Sequence, residues 1–142
     1  MNTKYEFVPG DEIIIAPGLT LKRIRALVAI SYFVSPGELG GYIESEKSLD
    51  VSGNAWVSGN AQVYGDGLIV WFSHVGSDNG TLTVYNTKDN TLEVTRGCFS
   101  GTVDEFIAAS EKKHDDQTHL EYKLLIEVAH SRITKHQESK ND

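Results

Sequence analysis

A repeat of six residues in the middle of the chain predicts how its backbone is wound. Read in steps of six from position 51, the sequence runs VSGNAW, VSGNAQ and VYGDGL, and then reaches Ile69. A valine or isoleucine recurs at one phase, and a second apolar or small residue recurs four places later and extends back through Leu49 to Ile43. Glycine beside asparagine or aspartate falls between the two phases and tolerates the left-handed backbone of a corner. Self-similarity at such a short period is typical of a solenoid with inward-pointing valines.

The repeat is too short to be stable alone. It covers only about 27 residues, from 43 to 69, whereas a solenoid needs roughly three stacked units and capped ends. We therefore expect the strands before the repeat to cap one end and a C-terminal module to cap the other. The alternative is that the coils of several copies pack together, which predicts a homo-oligomer.

The flanks of the repeat predict strands first and helices last. Residues 4–8, 12–16 and 19–33 have strand patterns separated by Pro-Gly turns. Residues 68–75, 81–85 and 91–95 predict an antiparallel meander. Thr102 and Thr118 are each followed by a glutamate three residues later, which is a capping box at a helix start. The apolar residues expected to face the meander are Val103, Phe106 and Ile107 in the first helix and Leu120, Leu124, Leu125 and Val128 in the second.

These patterns divide the chain into three parts. Residues 1–69 hold the N-terminal strands and the repeat, residues 70–135 hold the meander and two helices, and residues 136–142 form a polar tail expected to be flexible. The glycines at 40 and 41 are interpreted as turn residues.

Composition argues against several classes of protein. The chain carries 20 acidic and 13 basic residues, a net charge of −7, and an acidic surface repels the phosphate backbone of nucleic acids. Strictly apolar runs reach only five residues, as at 68–72, which is far shorter than the roughly 20 residues that span a bilayer. A single cysteine, Cys98, fits a reducing compartment. With no apolar signal stretch at the N-terminus, we expect a cytoplasmic protein that binds neither membrane nor nucleic acid directly.

The residues of catalytic chemistry are sparse. All five histidines follow residue 73 and therefore lie outside the repeat. An acyltransferase built on such a repeat would need a histidine general base at the edge of the repeat itself. His114, Asp115, Asp116 and His119 lie close in sequence, but no further ligand pair at metal spacing accompanies them. Cys98 is interpreted as a buried structural thiol. The sequence therefore predicts a protein without enzymatic activity, cofactor or metal.

Two groups of side chains are candidate binding residues. Aromatic side chains on a rigid wall often anchor an interface, unless a cap or the meander covers them. Two arginines on a predicted strand could instead hold the phosphate of a nucleotide between protomers, with Tyr42 stacked on its base. The candidate interface residues are Trp56, Tyr64, Trp71 and Tyr42, and the candidate phosphate contacts are Arg23 and Arg25.

The repeat resembles the hexapeptide repeat of left-handed parallel β-helices. The chain is also similar to small phage and prophage proteins in which Gly-Asn-Ala repeats follow a segment like GELGGYIESE, found here at residues 37–46. The YEF segment at 5–7, the RIR segment at 23–25 and the Gly-Cys pair at 97–98 match the same group. The resemblance implies a mainly β fold with C-terminal helices. A short left-handed parallel β-helix core is capped by N-terminal strands and followed by an α+β module of a small antiparallel meander and two helices.

We therefore expect a non-enzymatic, phage-derived binding protein that inhibits a host defence protein through an acidic and aromatic surface. One alternative is an oligomeric protein that sequesters a small ligand such as a nucleotide. A second alternative is a degenerate hexapeptide acyltransferase.

Overall fold

The computed structural model describes residues 2–31, 33–65 and 67–140, with side chains to residue 134. Within that part the protein is mainly β, with two helices at the C-terminal end, as the sequence predicts. A single 3-10 turn occupies Ser77–Asn79. The elements are β1 (Tyr5–Ala16), β2 (Leu19–Ala26), β3 (Leu39–Ile43), β4 (Gln62–Val63), β5 (Ile69–Val75), β6 (Gly80–Asn86), β7 (Leu92–Arg96), β8 (Phe99–Thr102), α1 (Val103–Lys113) and α2 (Asp116–Lys140).

The first sheet has the strand order β1-β2-β3-β4 and changes direction at its last pair. The pairs β1–β2 and β2–β3 are antiparallel, but β3 and β4 are parallel, with Tyr42 opposite Gln62 and Ile43 opposite Val63. Parallel strands need a connection that returns to the starting end of the first strand. The repeat supplies that connection, because it leaves β3 at residue 43 and comes back beside it at residue 62.

The N-terminal strands differ from their predicted bounds. The segments expected at 4–8 and 12–16 form one strand, β1, whose register shifts between Phe7 and Glu12, where Gly10 has a φ of +78°. A bulge of this kind keeps both halves of a strand beside one partner. The strand expected over 19–33 ends at Ala26, and beyond it an isolated bridge joins Ile30 to Val34.

The second sheet is the predicted antiparallel meander with one further strand. Its order is β5-β6-β7-β8, and the sequence pattern missed β8, which follows a tight turn at residues 97–98. Thr83 and Tyr85 of β6 hydrogen-bond to the repeat. Because successive side chains of a strand point to opposite faces, Leu82 and Val84 lie on the face towards the helices. The second sheet is thus a middle layer between the repeat and the two helices.

The two helices begin by different means. The hydroxyl of Thr102 accepts a hydrogen bond from the Glu105 amide at 3.1 Å and the Glu105 carboxylate accepts one from the Thr102 amide at 2.9 Å, so the predicted capping box is present. The capping box predicted at Thr118 is wrong. Helix α2 begins at Asp116, and the carboxylate of Asp115 accepts a hydrogen bond from the Thr118 amide at 2.8 Å.

Helix α1 buries the predicted face, but α2 does not. Phe106 is buried, and Val103 and Ile107 pack against the core. In α2 the face expected to be buried is largely exposed, because the side chain of Tyr122 packs edge-on against Phe106, at 5.0 Å between ring centroids. Of the four predicted residues, Leu125 packs against the core, but Leu120, Leu124 and Val128 are about half exposed. The buried residues among the described side chains of α2 are Tyr122, Ile126, Ala129 and Ile133.

The C-terminal helix continues through the backbone of Lys140, and the last two residues of the tail expected at 136–142 lie outside the described residues. Within the described part of the chain, neither helix combines the length and the hydrophobicity needed to cross a lipid bilayer.

Candidate functional site

The six-residue phase of the repeat decides which side chains enter the core. Ile43, Leu49, Ala55 and Ala61, each six places after the last, are fully buried. Of the valines expected to point inward, those at 57 and 63 are buried, but Val51 is exposed and the expectation is wrong there. The chain near Val51 wraps around another group instead of lining the core.

That group is the ammonium of Lys4, which fixes the first corner of the repeat to the start of β1. Its Nζ donates hydrogen bonds to Asp50 Oδ1 at 2.6 Å and to the Ala55 carbonyl at 2.7 Å, and its side chain is buried. Burial lowers the pKa of Lys4, and the Asp50 carboxylate partly opposes that effect. Nothing in the sequence pattern pointed to this pair, because the two residues are far apart in the chain.

Two adjacent glycines let the repeat lie directly against β3. A Cβ at Gly40 would stand 2.7 Å from Cζ2 of Trp56, and one at Gly41 would stand 2.6 Å from the Ala61 Cβ. The Gly41 amide donates to the Val57 carbonyl at 3.0 Å. The interpretation of these glycines as turn residues is wrong. They lie inside a strand, and they are required by close approach.

Trp56 is the point at which the repeat joins the second sheet. Its side chain is only 5 % exposed, its amide donates to Thr83 Oγ1 at 3.3 Å, and its carbonyl accepts a hydrogen bond from the Thr95 hydroxyl. Two residues on, Ser58 Oγ lies 2.7 Å from the Tyr85 hydroxyl. Burial raises the pKa of Tyr85. The second sheet therefore covers most of this predicted interface residue.

A cleft remains where Trp56 meets the turn between β7 and β8. It encloses a cavity of about 150 Å³ whose apolar walls are Ile30, Phe33, Val34, Leu39, Trp56 and Phe99. Phe33 and Leu39 stand at its rim and are 46 % and 47 % exposed. Gly97, with a φ of +59°, makes the tight turn beneath the Phe33 ring, and a Cβ there would stand 3.2 Å from that ring. We call this feature the Trp56 cleft.

A second cavity of about 310 Å³ lies on the other side of Phe33 and the β7–β8 turn. Its walls include Phe106 and Tyr122, and its basic side chains are Arg96, Lys113 and His114, with Asp78 also at its border. Arg96 Nε donates to the Tyr122 hydroxyl at 3.0 Å, and its guanidinium also bonds to the Ser77 carbonyl. In the described side chains, none of these three basic residues forms an ion pair with a carboxylate. We call this feature the Arg96 cavity.

Cys98 stands between the two cavities. The thiol is exposed, so its interpretation as a buried structural residue is wrong. The physical reason is its place in the tight turn between β7 and β8, where the side chain has no layer above it.

The other predicted aromatic residues lie on separate features. Trp71 is partly exposed on β5, which is an end strand of the second sheet, and Tyr64 is half-buried against the core. Tyr42 lies on β3, where its hydroxyl donates to Asp11 Oδ1 at 2.6 Å. That hydrogen bond raises the pKa of Tyr42. Of the four predicted interface residues, Trp56 alone lines a cavity described above.

The two arginines predicted to contact phosphate already have carboxylate partners. Arg23 forms an ion pair with Asp11 at 3.5 Å, and its guanidinium lies 4.8 Å from the centre of the Tyr42 ring. Arg25 is paired with Glu6. A phosphate at this place would therefore compete with a carboxylate that lies beside each arginine.

The histidine-rich segment between the helices is held by structural contacts. Asp115 caps α2, and the Thr118 amide lowers the pKa of its carboxyl. His119 Nδ1 lies 3.0 Å from Ser110 Oγ, and the His114 ring packs beside Tyr122. In the described residues, no three His, Cys, Asp or Glu side chains are grouped as a metal site requires.

Comparison of the chain with protein-family models, with curated proteins and with solved structures gives no match. The Trp56 cleft and the Arg96 cavity are therefore the features from which a function is proposed.

Proposed function

We propose that this protein is a non-enzymatic binding protein whose Trp56 cleft takes up an apolar side chain of a basic partner protein. The observation that carries the proposal is the exposure of Phe33 and Leu39 beside a cavity that has Trp56 as its floor. Large apolar side chains that stay exposed at a pocket, with polar groups around them, are typical of protein interfaces. Binding energy concentrates where an aromatic anchor enters such a pocket.

The size of the cavity favours one side chain as its occupant. An apolar cavity of about 150 Å³ is large enough for benzene. The Trp56 cleft therefore fits the ring of a phenylalanine or the branched end of a leucine.

Charge favours a basic partner. The chain has a net charge of −7, and the charged residues that line the cleft are Glu38, which is exposed, and Arg96, whose guanidinium already bonds to Ser77 and Tyr122. An acidic surface accelerates association with a basic partner. Salt screens that attraction and so weakens the binding. We propose, with the resemblance to phage proteins in support, that the partner is a host defence protein met in the host cytoplasm.

The same proposal extends to the fold of the repeat. We propose that residues 39–63 are one coil of a left-handed parallel β-helix, capped by β1 and β2 and covered by the second sheet. The parallel pairing of β3 with β4 and the burial of Ile43, Leu49, Ala55 and Ala61 at a period of six support it.

Selection from a library of short displayed peptides tests the proposal without knowledge of the partner. The full-length protein should enrich peptides that carry an aromatic or leucine residue among lysines and arginines, and their affinity should fall as salt rises. Phe33→Asp should weaken the selected peptides at least tenfold, whereas Leu124→Asp, an equally exposed change on α2, should leave them bound. No enrichment, or equal binding by the Phe33 variant, would refute the proposal.

The Arg96 cavity favours a second candidate function, the sequestering of a small anion such as a nucleotide. Two cationic side chains and a histidine, none ion-paired with a carboxylate among the described side chains, border an aromatic-walled cavity in an acidic protein. For this candidate function we propose Arg96, Lys113 and His114 as the anion contacts, whereas the sequence predicted Arg23 and Arg25. Calorimetric titration with adenosine monophosphate tests it. Lys113→Glu should weaken binding at least tenfold, and a flat titration of the unaltered protein excludes this ligand.

A further inference from the structure

One edge of the first sheet is both unpaired and apolar. Strand β1 is the end strand of that sheet and pairs with β2 alone. Among the described residues, no other segment makes backbone hydrogen bonds to residues 12–16. The centre of this stretch is three consecutive isoleucines, and Ile14 is 74 % exposed, more than any other large hydrophobic side chain described. We call residues 12–16 the β1 edge.

Of the charges and prolines that normally protect such an edge, the β1 edge contains only the charge of Glu12 at its first residue. Natural proteins blunt an end strand with charges, proline or a bulge, because its free amide and carbonyl groups otherwise pair with another chain. Here the bulge precedes Glu12, and Pro17 comes after the strand has ended. Between them the three isoleucines carry no charge and are β-branched, which favours an extended backbone.

We propose that the β1 edge pairs with the same edge of a second copy, antiparallel and about a two-fold axis at Ile14. In that register Ile13 lies opposite Ile15 of the second copy and Glu12 lies opposite its Ala16, so no two like charges face each other. The two Ile14 side chains lie directly opposite and cover each other. The two four-stranded sheets then join into one, and the two-fold axis closes the assembly at a dimer.

The occupant is a second copy because the edge is complementary to itself. Because each chain carries a net charge of −7, two copies repel each other. An apolar strand edge such as the β1 edge is a surface at which two such copies can still pair. Salt screens that repulsion and should tighten the dimer, whereas it should weaken binding of a basic partner at the Trp56 cleft. The dimer is thus independent of the proposed function, and either can fail without the other.

Sedimentation velocity of the full-length protein tests the proposal. The unaltered protein should sediment at twice the 15.7 kDa mass of one chain, with a dimer fraction that rises with concentration and with salt. Ile14→Lys places two ammonium groups face to face and should raise the dimer Kd by roughly a hundredfold or more. The matched control Leu124→Lys changes an exposed leucine on α2 and should leave the dimer unchanged. A monomer at every concentration overturns the proposal, and so does a dimer that Ile14→Lys leaves intact.

Disulfide cross-linking checks the register. Directly opposite residues in an antiparallel pair have Cα atoms about 4.5–5.5 Å apart, which a disulfide can bridge. Ile14→Cys in a Cys98→Ser background should therefore form a covalent dimer on mild oxidation, while Leu124→Cys in that background should not. If the dimer forms but Ile14→Cys gives no more cross-linked product than Leu124→Cys, the assigned edge is wrong.

Discussion

Replacing Gly41 by alanine tests the contact between β3 and the repeat on which the Trp56 cleft depends. The added Cβ would stand 2.6 Å from the Ala61 Cβ and closer still to the Ser58 carbonyl. Neither neighbour is the end of a flexible side chain, so rotation about a side-chain bond cannot relieve the contact. Ordinary contact begins near 3.4 Å, which means that the repeat and β3 must separate by about 1 Å.

The expected loss of stability follows from that separation. Overpacking of a buried site costs about 1–3 kcal/mol. The separation also lengthens the hydrogen bonds from the Gly41 and Tyr42 amides to the Val57 and Ala61 carbonyls, each worth about 1 kcal/mol. The smaller conformational entropy of alanine in the unfolded chain returns about 0.4–1 kcal/mol. We expect Gly41→Ala to lower the free energy of unfolding by about 2–4 kcal/mol.

Equilibrium unfolding in urea, followed by the fluorescence of the two tryptophans, measures this change. The matched control is Gly59→Ala, because Gly59 lies in the same repeat with no heavy atom within 4 Å of an added Cβ and no positive φ. The control should be neutral or slightly stabilised. If Gly41→Ala unfolds within about 0.5 kcal/mol of the unaltered protein, the repeat does not lie against β3 as described.

Three further changes have outcomes set by single contacts, and urea unfolding measures each. Lys4→Ala should cost about 3 kcal/mol, because it leaves Asp50 without its buried partner, and an unchanged midpoint would contradict that pairing. Tyr85→Phe removes a hydroxyl bonded to the repeat and should cost about 1 kcal/mol, so a stabilised variant would show that the bond is not formed. Asp115→Ala should destabilise the protein at neutral pH. The Thr118 amide lowers the pKa of Asp115, so the unaltered protein loses this contribution to stability as pH falls through that lowered pKa. The free energies of unfolding of the two proteins should therefore become equal in strong acid. A difference that persists there would argue against the cap.

The burial of the repeat was predictable only in part. The valines were expected to point inward, and Val57 and Val63 do, but Ile43, Leu49, Ala55 and Ala61 at the second phase are fully buried as well. Val51 departs from its expected place because the chain beside it closes around Lys4, a residue distant in sequence. The pattern of the repeat contains no information about the ammonium of Lys4, which lies immediately before β1.

The buried face of α2 could not be chosen from its sequence. Leu120, Leu124 and Val128 recur every fourth residue, but Tyr122 and Ile126 form a second stripe with the same spacing. Packing of Tyr122 against Phe106 of α1 decides between them. That contact depends on the angle between the two helices. The spacing of apolar residues within either helix does not predict this angle.

The candidate site was only partly predictable for a related reason. Trp56 was identified as an interface residue, and it does line the cleft. Phe33 was assigned to a strand that ends before it, so its exposure could not be foreseen. The carboxylate partners of Arg23 and Arg25 could not be predicted, because they are set by the bulged register of β1. Which side chains form ion pairs across two strands depends on the register of those strands. A bulge in one strand changes the register, and nothing in the sequence of the partner strand reveals that change.

Nuclear magnetic resonance can test the return of the repeat to β3 most directly, through scalar couplings that pass across hydrogen bonds. If the repeat returns to β3, the Tyr42 amide couples to the Ala61 carbonyl and the Glu44 amide couples to the Val63 carbonyl. Together they define a parallel pair at the end of one circuit of the chain. Couplings from these amides to carbonyls in an antiparallel order, or to none in residues 57–63, would contradict it.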